Sequence, residues 1–319
     1  LEGGVPVGGG GRCMHKYVIY TDRRTYHPGF QPPLLSGRRG NYTGYKYMRN
    51  LYKLYKARMK KIKCVIMDWA GTAVDYGCFA PVAAFIEAFA EKGLIIDVVQ
   101  TRKPMGLPKI QHIRELLSMP EVNEQFATRY QRAWTEEDVV ELNRLFEKHL
   151  FASLENYTDP IPGVIPTLEK LRAEGLKIGS TTGYTREMMN VVLPAAQAKG
   201  YRVDYCATPN LLPAGRPAPY MIFENLIKLG VDSLDAVVKV GDTIADIKEG
   251  VNAKVCSVGV VLGSNEMALT EAETKAMPAA ELEARIADVK ERMFAAGASY
   301  VILSMEELPA LIERMNADR

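Results

Sequence analysis

The sequence has few cysteines and histidines, and neither type is clustered. The five cysteines (Cys13, Cys64, Cys78, Cys206 and Cys256) are scattered, odd in number and free of any Cys-X-X-Cys pair. This spacing argues against a disulfide framework or a cysteine-based zinc site, and it favours free thiols in a reducing cytoplasm. The four histidines are equally dispersed, which argues against a histidine-rich metal site.

Long apolar runs are also missing. No stretch approaches the roughly 20 apolar residues that a membrane-spanning helix needs, and the first residues lack the compact apolar block of a secretory signal. Hydrophobic residues make up 47% of the chain and charged residues 24%, as in an ordinary globular protein. The 319 residues leave room for two packed units. We therefore expect a cytoplasmic protein with no membrane partner.

Residues 1–60 differ in composition from the rest. They carry twelve Lys or Arg residues against two acidic ones, and eight of the sixteen tyrosines. The other 259 residues hold 28 basic and 36 acidic residues, a balance of −8 that gives no reason to expect nucleic-acid binding. A basic, tyrosine-rich segment could bind RNA or a membrane surface. Its diffuse charges instead favour a poorly ordered extension ahead of a natural start at Met59.

From Lys61 onward, strand-like apolar runs alternate with helical periods. The predicted strands are Ile62–Met67, Ile178–Thr181, Val237–Val240, Val255–Val261 and Tyr300–Leu303. The predicted helices are Val164–Glu174, Thr185–Lys199, Ala218–Leu229, Thr243–Asn252 and Glu306–Met315. This alternation predicts an α/β fold with a doubly wound parallel sheet. Residues 76–157 break the rhythm with helical periods alone, for example Pro81–Lys92 and Glu136–Leu150. They predict a helical cap inserted into a core of residues 61–75 and 158–319.

Acidic and hydroxyl residues follow three of the predicted strands. Asp68 and a glycine-containing turn follow the first, Thr182 and Gly183 the second, and Asp242 with Asp246 a later one. A strand-end carboxylate beside backbone N–H groups suits attack on phosphorus. Several carboxylates at one sheet edge suit a hard cation such as Mg²⁺. Each signal alone is weak, because such residues are also common in turns and caps.

Together these strand-end residues resemble the sequence motifs of the haloacid dehalogenase superfamily. The resemblance covers about residues 61–319. The resemblance implies that Asp68 is a nucleophile forming an aspartyl-phosphate and that Thr182 binds the phosphoryl group. Arg216 stands where that superfamily usually has a lysine. The implied ligands of Mg²⁺ are Asp68, Asp242, Asp246 and Ala70, whose only oxygen is that of the backbone.

Position 70 departs from the phosphatases of that superfamily, which carry there a second aspartate that protonates the leaving alkoxide. Because Ala70 is no acid, the leaving group should be stabilised in another way. A carbon leaving group needs an electron sink, and a protonated imine of a lysine is one.

Three segments, Asp68–Pro81, Arg102–His112 and Gly179–Met189, resemble the carbon–phosphorus bond hydrolases of the same superfamily. This resemblance implies that Lys109 forms a Schiff base with phosphonoacetaldehyde, which is cleaved to acetaldehyde and phosphate. It further implies a homodimer assembled through the cap. Further residues expected at the substrate are Met105, His112, Gly71, Cys78, Gly183 and Tyr184.

Other interpretations remain open from the residues themselves. Lys109 alone reads as an exposed lysine at a helix start, and His112 either relays protons or is a hydrogen-bonded core histidine. The nearest rival function is a generic phosphatase or phosphomutase on the same fold. A rival of another class is a nucleic-acid-binding protein that acts through residues 1–60.

Overall fold

A computed structural model describes residues 60–105 and 107–317. The extension predicted for residues 1–60 therefore lies, apart from Lys60, outside the described residues. The strands are β1 Cys64–Met67, β2 Lys177–Thr181, β3 Tyr205–Ala207, β4 Val237–Gly241, β5 Cys256–Val260 and β6 Tyr300–Ile302. All pair in parallel, in the order β3-β2-β1-β4-β5-β6. This sheet, with the helices described next, confirms the predicted fold class.

The helices fall into two groups. Five follow β1 as one block: α1 Ala80–Glu91, α2 Val98–Arg102, α3 Lys109–Ser118, α4 Pro120–Tyr130 and α5 Glu136–Ser153. Seven accompany the later strands: α6 Val164–Ala173, α7 Arg186–Ala198, α8 Tyr220–Leu229, α9 Ile244–Ala253, α10 Glu271–Ala276, α11 Ala279–Ala295 and α12 Leu308–Ala317. None of these described helices is both long enough and apolar enough to cross a membrane.

Several predicted boundaries differ from the observed ones for local reasons. The helix predicted from Ala218 begins at Tyr220, because the residue before a proline, here Pro219, is disfavoured in the helical region. The helix predicted from Glu306 begins at Leu308, after a 3-10 turn. The three-residue edge strand β3 and the helix α11 were not predicted. In α11 only Val289 and Met293 are buried, so its apolar stripe is narrow.

The cap consists of helices α1 to α5, which pack on one another through aromatic and aliphatic side chains. Phe85 of α1 stacks on Phe146 of α5 at 4.1 Å between ring centroids. Ile113 and Leu116 of α3 are fully buried in the same apolar cluster, which extends into the core domain to include Val65 of β1. Cap and core therefore share one continuous apolar interior.

The chain passes between core and cap through two segments that lie side by side. Ile161 N–H donates to the Ala73 carbonyl at 2.9 Å, and Asp75 N–H to the Asp159 carbonyl at 3.2 Å. The buried Asp75 carboxylate accepts hydrogen bonds from the N–H groups of Phe79 and Ala80, both at 3.0 Å, and so caps the start of α1. Burial raises the pKa of Asp75 to about 7.

Candidate active site

The strand order places the predicted site residues at one edge of the sheet. The central strand β1 pairs with β2 on one side and β4 on the other, with Met67 opposite Ser180 and Val240. The chain builds outward from β1 in both directions, and at such a switch point the strand ends leave a crevice for ligands. Asp68 and Asp242 directly follow two adjacent strands and therefore meet there.

Three carboxylates converge in this crevice. Oxygen atoms of Asp68, Asp242 and Asp246 all lie within 4.8 Å of one another, and the three residues are buried. The turn after Asp68 approaches them closely. Gly71 has a φ of +85°, and a Cβ there would lie 2.2 Å from Asp242 Oδ2. Glycine is needed at position 71 both for this backbone conformation and for the close approach.

Asp242 is held on two sides. Its Oδ1 accepts a hydrogen bond from Thr72 Oγ1 at 3.0 Å, and its Oδ2 accepts one from the Asn265 N–H at 2.7 Å. Burial raises its pKa well above the ordinary value, and the charges of Asp68 and Asp246 raise it further. Asp242 is thus the carboxylate whose negative charge is least compensated by protein cations.

Arg216 lies against these carboxylates and contacts two of them, Asp68 and Asp246, together with a fourth, Glu249. Its Nη2 donates to Asp68 Oδ1 at 2.5 Å, its Nη1 lies 3.0 Å from Asp246 Oδ1, and its Nε lies 3.2 Å from Glu249 Oε2. Nη2 also donates to the Thr181 carbonyl at 2.8 Å. Although burial opposes the charged form, these carboxylates raise the pKa of Arg216, so the guanidinium stays charged.

Two charged residues of this network, Lys239 and Glu249, were not predicted from the sequence. Lys239 is fully buried in the middle of β4. Its Nζ lies 2.8 Å from Asp246 Oδ1 and 3.3 Å from Glu249 Oε2, and it donates to Thr181 Oγ1 at 2.9 Å. The one sequence signal was a lone charge within the apolar run of β4, where a buried charge requires partners.

The buried charges of this network do not cancel. Four carboxylates (Asp68, Asp242, Asp246 and Glu249) face two protein cations (Arg216 and Lys239). With all of them ionised the cluster carries −2, which a single divalent cation would neutralise. The donors offered to it are oxygens, as hard cations prefer. The residues present therefore fit a divalent metal ion.

Lys109 and His112 lie on the first turn of α3, in the cap. Lys109 is partly buried, with its Nζ 5.6 Å from the Phe85 ring centroid and 5.5 Å from that of Phe146. Burial lowers its pKa, and the charge of Arg216 lowers it further, whereas Cys78 and Asp68 act in the opposite sense. The amine therefore loses its proton more readily than that of a free lysine.

His112 is fully buried and stacks on Phe85 at 4.0 Å between ring centroids. Its Nε2 lies 2.9 Å from the Thr101 carbonyl, so Nε2 carries the proton. Nδ1 has no hydrogen-bond partner among the described residues. Burial and the charge of Lys109 lower the pKa of His112 to about 3. The imidazole is therefore neutral and leaves one acceptor nitrogen unused.

The remaining predicted residues come from both the core and the cap. Thr182 is buried at the end of β2, where its Oγ1 accepts from the Tyr184 N–H at 3.0 Å. A Cβ at Gly183 would meet no protein atom within 4 Å. Burial raises the pKa values of Cys78 and Tyr184 well above their usual ranges, so both stay protonated. Met105 lies in the turn after α2, its N–H bonded to the Arg102 carbonyl at 3.0 Å.

Comparison with known proteins places this chain in a known class. The family model described as haloacid dehalogenase-like hydrolase matches residues 62–254. A solved structure of a phosphonoacetaldehyde hydrolase-like protein from Oleispira antarctica matches with a TM-score of 0.78 and 33% identity. The match covers 81% of this chain and 94% of that one.

Curated relatives identify the family within this class. A phosphonoacetaldehyde hydrolase of Bacteroides fragilis is 85% identical over 259 residues, and one of Parabacteroides distasonis is 62% identical over 259 residues. Each match covers 81% of this chain and 98% of the relative. The chain therefore belongs to the haloacid dehalogenase-like hydrolases and, within them, to the phosphonoacetaldehyde hydrolase family.

Proposed function

We propose that this chain hydrolyses the carbon–phosphorus bond of phosphonoacetaldehyde, giving acetaldehyde and phosphate. Membership of the family supports the activity. The observation that carries the mechanism is the position of Lys109, whose Nζ lies over the Phe85 and Phe146 rings of the cap and close enough to Asp68 and Arg216 for their charges to act on its pKa. An amine of lowered pKa thus lies within electrostatic range of the carboxylate nucleophile. The aldehyde and phosphonate ends of one small substrate would engage the two groups.

The reaction begins at Lys109. Its neutral amine adds to the aldehyde carbon, and loss of water from the carbinolamine gives a protonated imine. His112, or water that it orders, serves the proton transfers of this step. The unused Nδ1 of His112 supports this role, although a pKa of about 3 makes it a weak base. Met105, Cys78 and Tyr184 line the imine and exclude water.

Cleavage follows at phosphorus. The Asp68 carboxylate attacks, the phosphorus–carbon bond breaks, and its electron pair passes into the iminium to leave an enamine on Lys109. No acid is needed at position 70, because the leaving carbon is stabilised by the imine. Thr182 and the backbone near Gly71 and Gly183 hold the phosphonate oxygens. Water then hydrolyses the aspartyl-phosphate to phosphate, and the protonated enamine to acetaldehyde.

We propose Mg²⁺ as the cation of this site, held by Asp68, Asp242, Asp246 and the backbone oxygen of Ala70. The oxygen-only donor set and the −2 balance of the buried charges support this choice. When bound, the ion would offset the repulsion between the Asp68 carboxylate and the phosphonate dianion. Arg216 fixes the orientation of Asp68 and adds positive charge on its other side.

The homodimer and the cytoplasmic location are still predictions from the sequence. Sedimentation of the purified chain tests the first, and fractionation of the source cells tests the second. The predicted domain bounds, residues 61–75 and 158–319 for the core and 76–157 for the cap, are proposals of the same kind. Limited proteolysis tests them, because cleavage should fall near residues 76 and 157.

Borohydride trapping tests the imine. With phosphonoacetaldehyde present, borohydride should reduce the imine to a stable secondary amine, inactivate the enzyme and add mass to the peptide carrying Lys109. Borohydride alone should leave activity intact. Lys103, in the same segment and exposed, is the internal control. Label at Lys103 in place of Lys109 would refute the imine assignment, as would substantial cleavage by Lys109→Arg, whose guanidinium stays protonated.

Phosphate release from a panel of substrates separates the proposed activity from that of a generic phosphatase. We expect phosphonoacetaldehyde to be cleaved and ordinary phosphate esters to be poor substrates, since Ala70 cannot protonate an alkoxide. Ester turnover faster than phosphonoacetaldehyde turnover would favour the phosphatase instead.

A further inference from the structure

A cap helix is joined by hydrogen bonds to the loop that holds Asp242, in addition to the Gly77–Gly263 backbone bond where the chain enters the cap. Arg102, the last residue of α2, donates from Nη1 to Asn265 Oδ1 at 2.8 Å and also, over a longer distance, to the Asn265 carbonyl at 3.4 Å. Its guanidinium also lies over the Phe79 ring, 4.6 Å from the centroid. Asn265 follows β5 in the core, and its own N–H is the donor to Asp242 Oδ2. A cap side chain is thus two hydrogen bonds away from the acidic cluster.

The surroundings of Arg102 both stabilise its hydrogen bond to Asn265 and limit the free energy needed to break it. A hydrogen bond from a charged donor contributes more than a neutral one, and the cation is further stabilised by the face of Phe79. Yet Nε and Nη2 of Arg102 are buried with no hydrogen-bond partner among the described residues. Water would satisfy both groups if the cap lifted, which offsets part of the gain on closing.

We propose that Arg102 is a positioning residue that fastens the cap over the active site by binding Asn265. Its contribution to the reaction rests on the proposed function, because closing the cap brings Lys109 to Asp68 and excludes water from the imine. The latch itself can be tested without substrate. Neither residue touches the reacting atoms in this assignment.

Cys78 provides a reporter of cap opening. Its side chain is buried, and its electrostatic neighbours include the cap residue Lys109 and the core residue Asp242. Alkylation by N-ethylmaleimide therefore requires the cap to move. Cys64, fully buried in β1, is the internal control for unfolding. Peptide mass spectrometry resolves the rate of labelling at each site.

The latch variants are Arg102→Met and Asn265→Ala, the second of which keeps the backbone N–H bound to Asp242. We expect each to raise the Cys78 labelling rate by about tenfold, the order lost with one charge-assisted hydrogen bond, with Cys64 unlabelled. The double variant should label no faster than the faster single one. Arg114→Met is the matched control, because Arg114 pairs with Glu136 inside the cap and should label like the wild type.

Kinetics add a second readout. Arg102→Met should lower kcat/KM for phosphonoacetaldehyde, and Arg102→Lys, which restores a cationic donor, should recover part of the loss. Equal Cys78 labelling in the wild type and in both folded latch variants would overturn the proposal, as would independent, multiplicative effects in the double variant. If labelling rises while the wild type fails to cleave phosphonoacetaldehyde, the latch stands and the proposed function fails.

Discussion

Replacing the buried Lys239 by methionine should destabilise the protein far more than the loss of one surface charge. The side chain is fully buried, and its ammonium contacts two carboxylates and a hydroxyl: Asp246 at 2.8 Å, Glu249 at 3.3 Å and Thr181 at 2.9 Å. Methionine fills a similar volume but leaves the carboxylates with Arg216 alone as their cation among the described residues. Removing one partner of a buried ion pair costs about 3–5 kcal/mol, a large fraction of a typical domain stability.

Urea unfolding measures this loss directly. Fluorescence reports on the two tryptophans together, Trp69 beside the nucleophile and Trp134 of the cap, and excess chelator removes any contribution from bound cation. Lys170→Met is the control, because Lys170 pairs with Glu313 at 2.8 Å but both side chains are about half exposed. It should lose at most about 1 kcal/mol.

A double variant tests whether uncompensated charge is the cause. Lys239→Met with Glu249→Gln removes one charge of each sign, so it should recover more than about 1 kcal/mol of the loss. A single Lys239→Met variant as stable as the Lys170→Met control would refute the reasoning, as would a double variant whose losses simply add.

Four further results are expected. Asp242→Ala should abolish turnover and weaken Mg²⁺ binding together, as measured by phosphate release and calorimetry; full activity in excess chelator would contradict this. Ala70→Asp should bring no gain in phosphonoacetaldehyde turnover, since the imine already stabilises the leaving carbon, and a several-fold gain would show that the role given to position 70 is wrong. Because burial lowers the pKa of Lys109, the rate of aldehyde-dependent inactivation by borohydride should stop rising with pH before pH 10.5 is reached. A rate that still rises through pH 10.5 would mean that the amine is exposed to solvent. The pKa of His112 is about 3 in the folded protein, against 6.5 for a free imidazole. As pH drops below 6.5 the unfolded form therefore takes up a proton before the folded form does, and the free energy of unfolding falls. The variant His112→Phe should lose this part of the pH dependence, and an unchanged slope would contradict the low pKa.

The convergence of the acidic residues could be predicted from the sequence because it depends on topology. Asp68 and Asp242 each follow an apolar run, and the carboxyl ends of parallel strands share one edge. The helix predicted from Thr243 is capped by that residue, whose hydroxyl oxygen accepts from the Asp246 N–H while its own N–H donates to Asp246 Oδ2, both at 3.2 Å. This capping box fixes Asp246 one turn beyond Asp242.

Other parts of the site depend on contacts that no local pattern encodes. Lys239 lies opposite Ile66 of β1 in the sheet, and only this strand order brings its ammonium within reach of Thr181 of β2 and the acidic residues of α9. Asn265 lies in a loop without periodicity, and its role as acceptor for Arg102 depends on how the cap is seated. The cap could be predicted as helical, but the stacking of Phe85 on His112 and Phe146 required the packed helices.

The distribution of charge suggests how one core serves different reactions. The proposed phosphorus chemistry uses groups of the core alone: Asp68, Arg216 and a cation beside Asp242. The proposed electron sink, Lys109, belongs to the cap, and the charges of Arg216 and Asp68 in the core act on its pKa. With Ala70 in place of an acid, the core lacks its own means of protonating a leaving group. On this assignment the core supplies attack on phosphorus, and the cap determines which bond to phosphorus breaks.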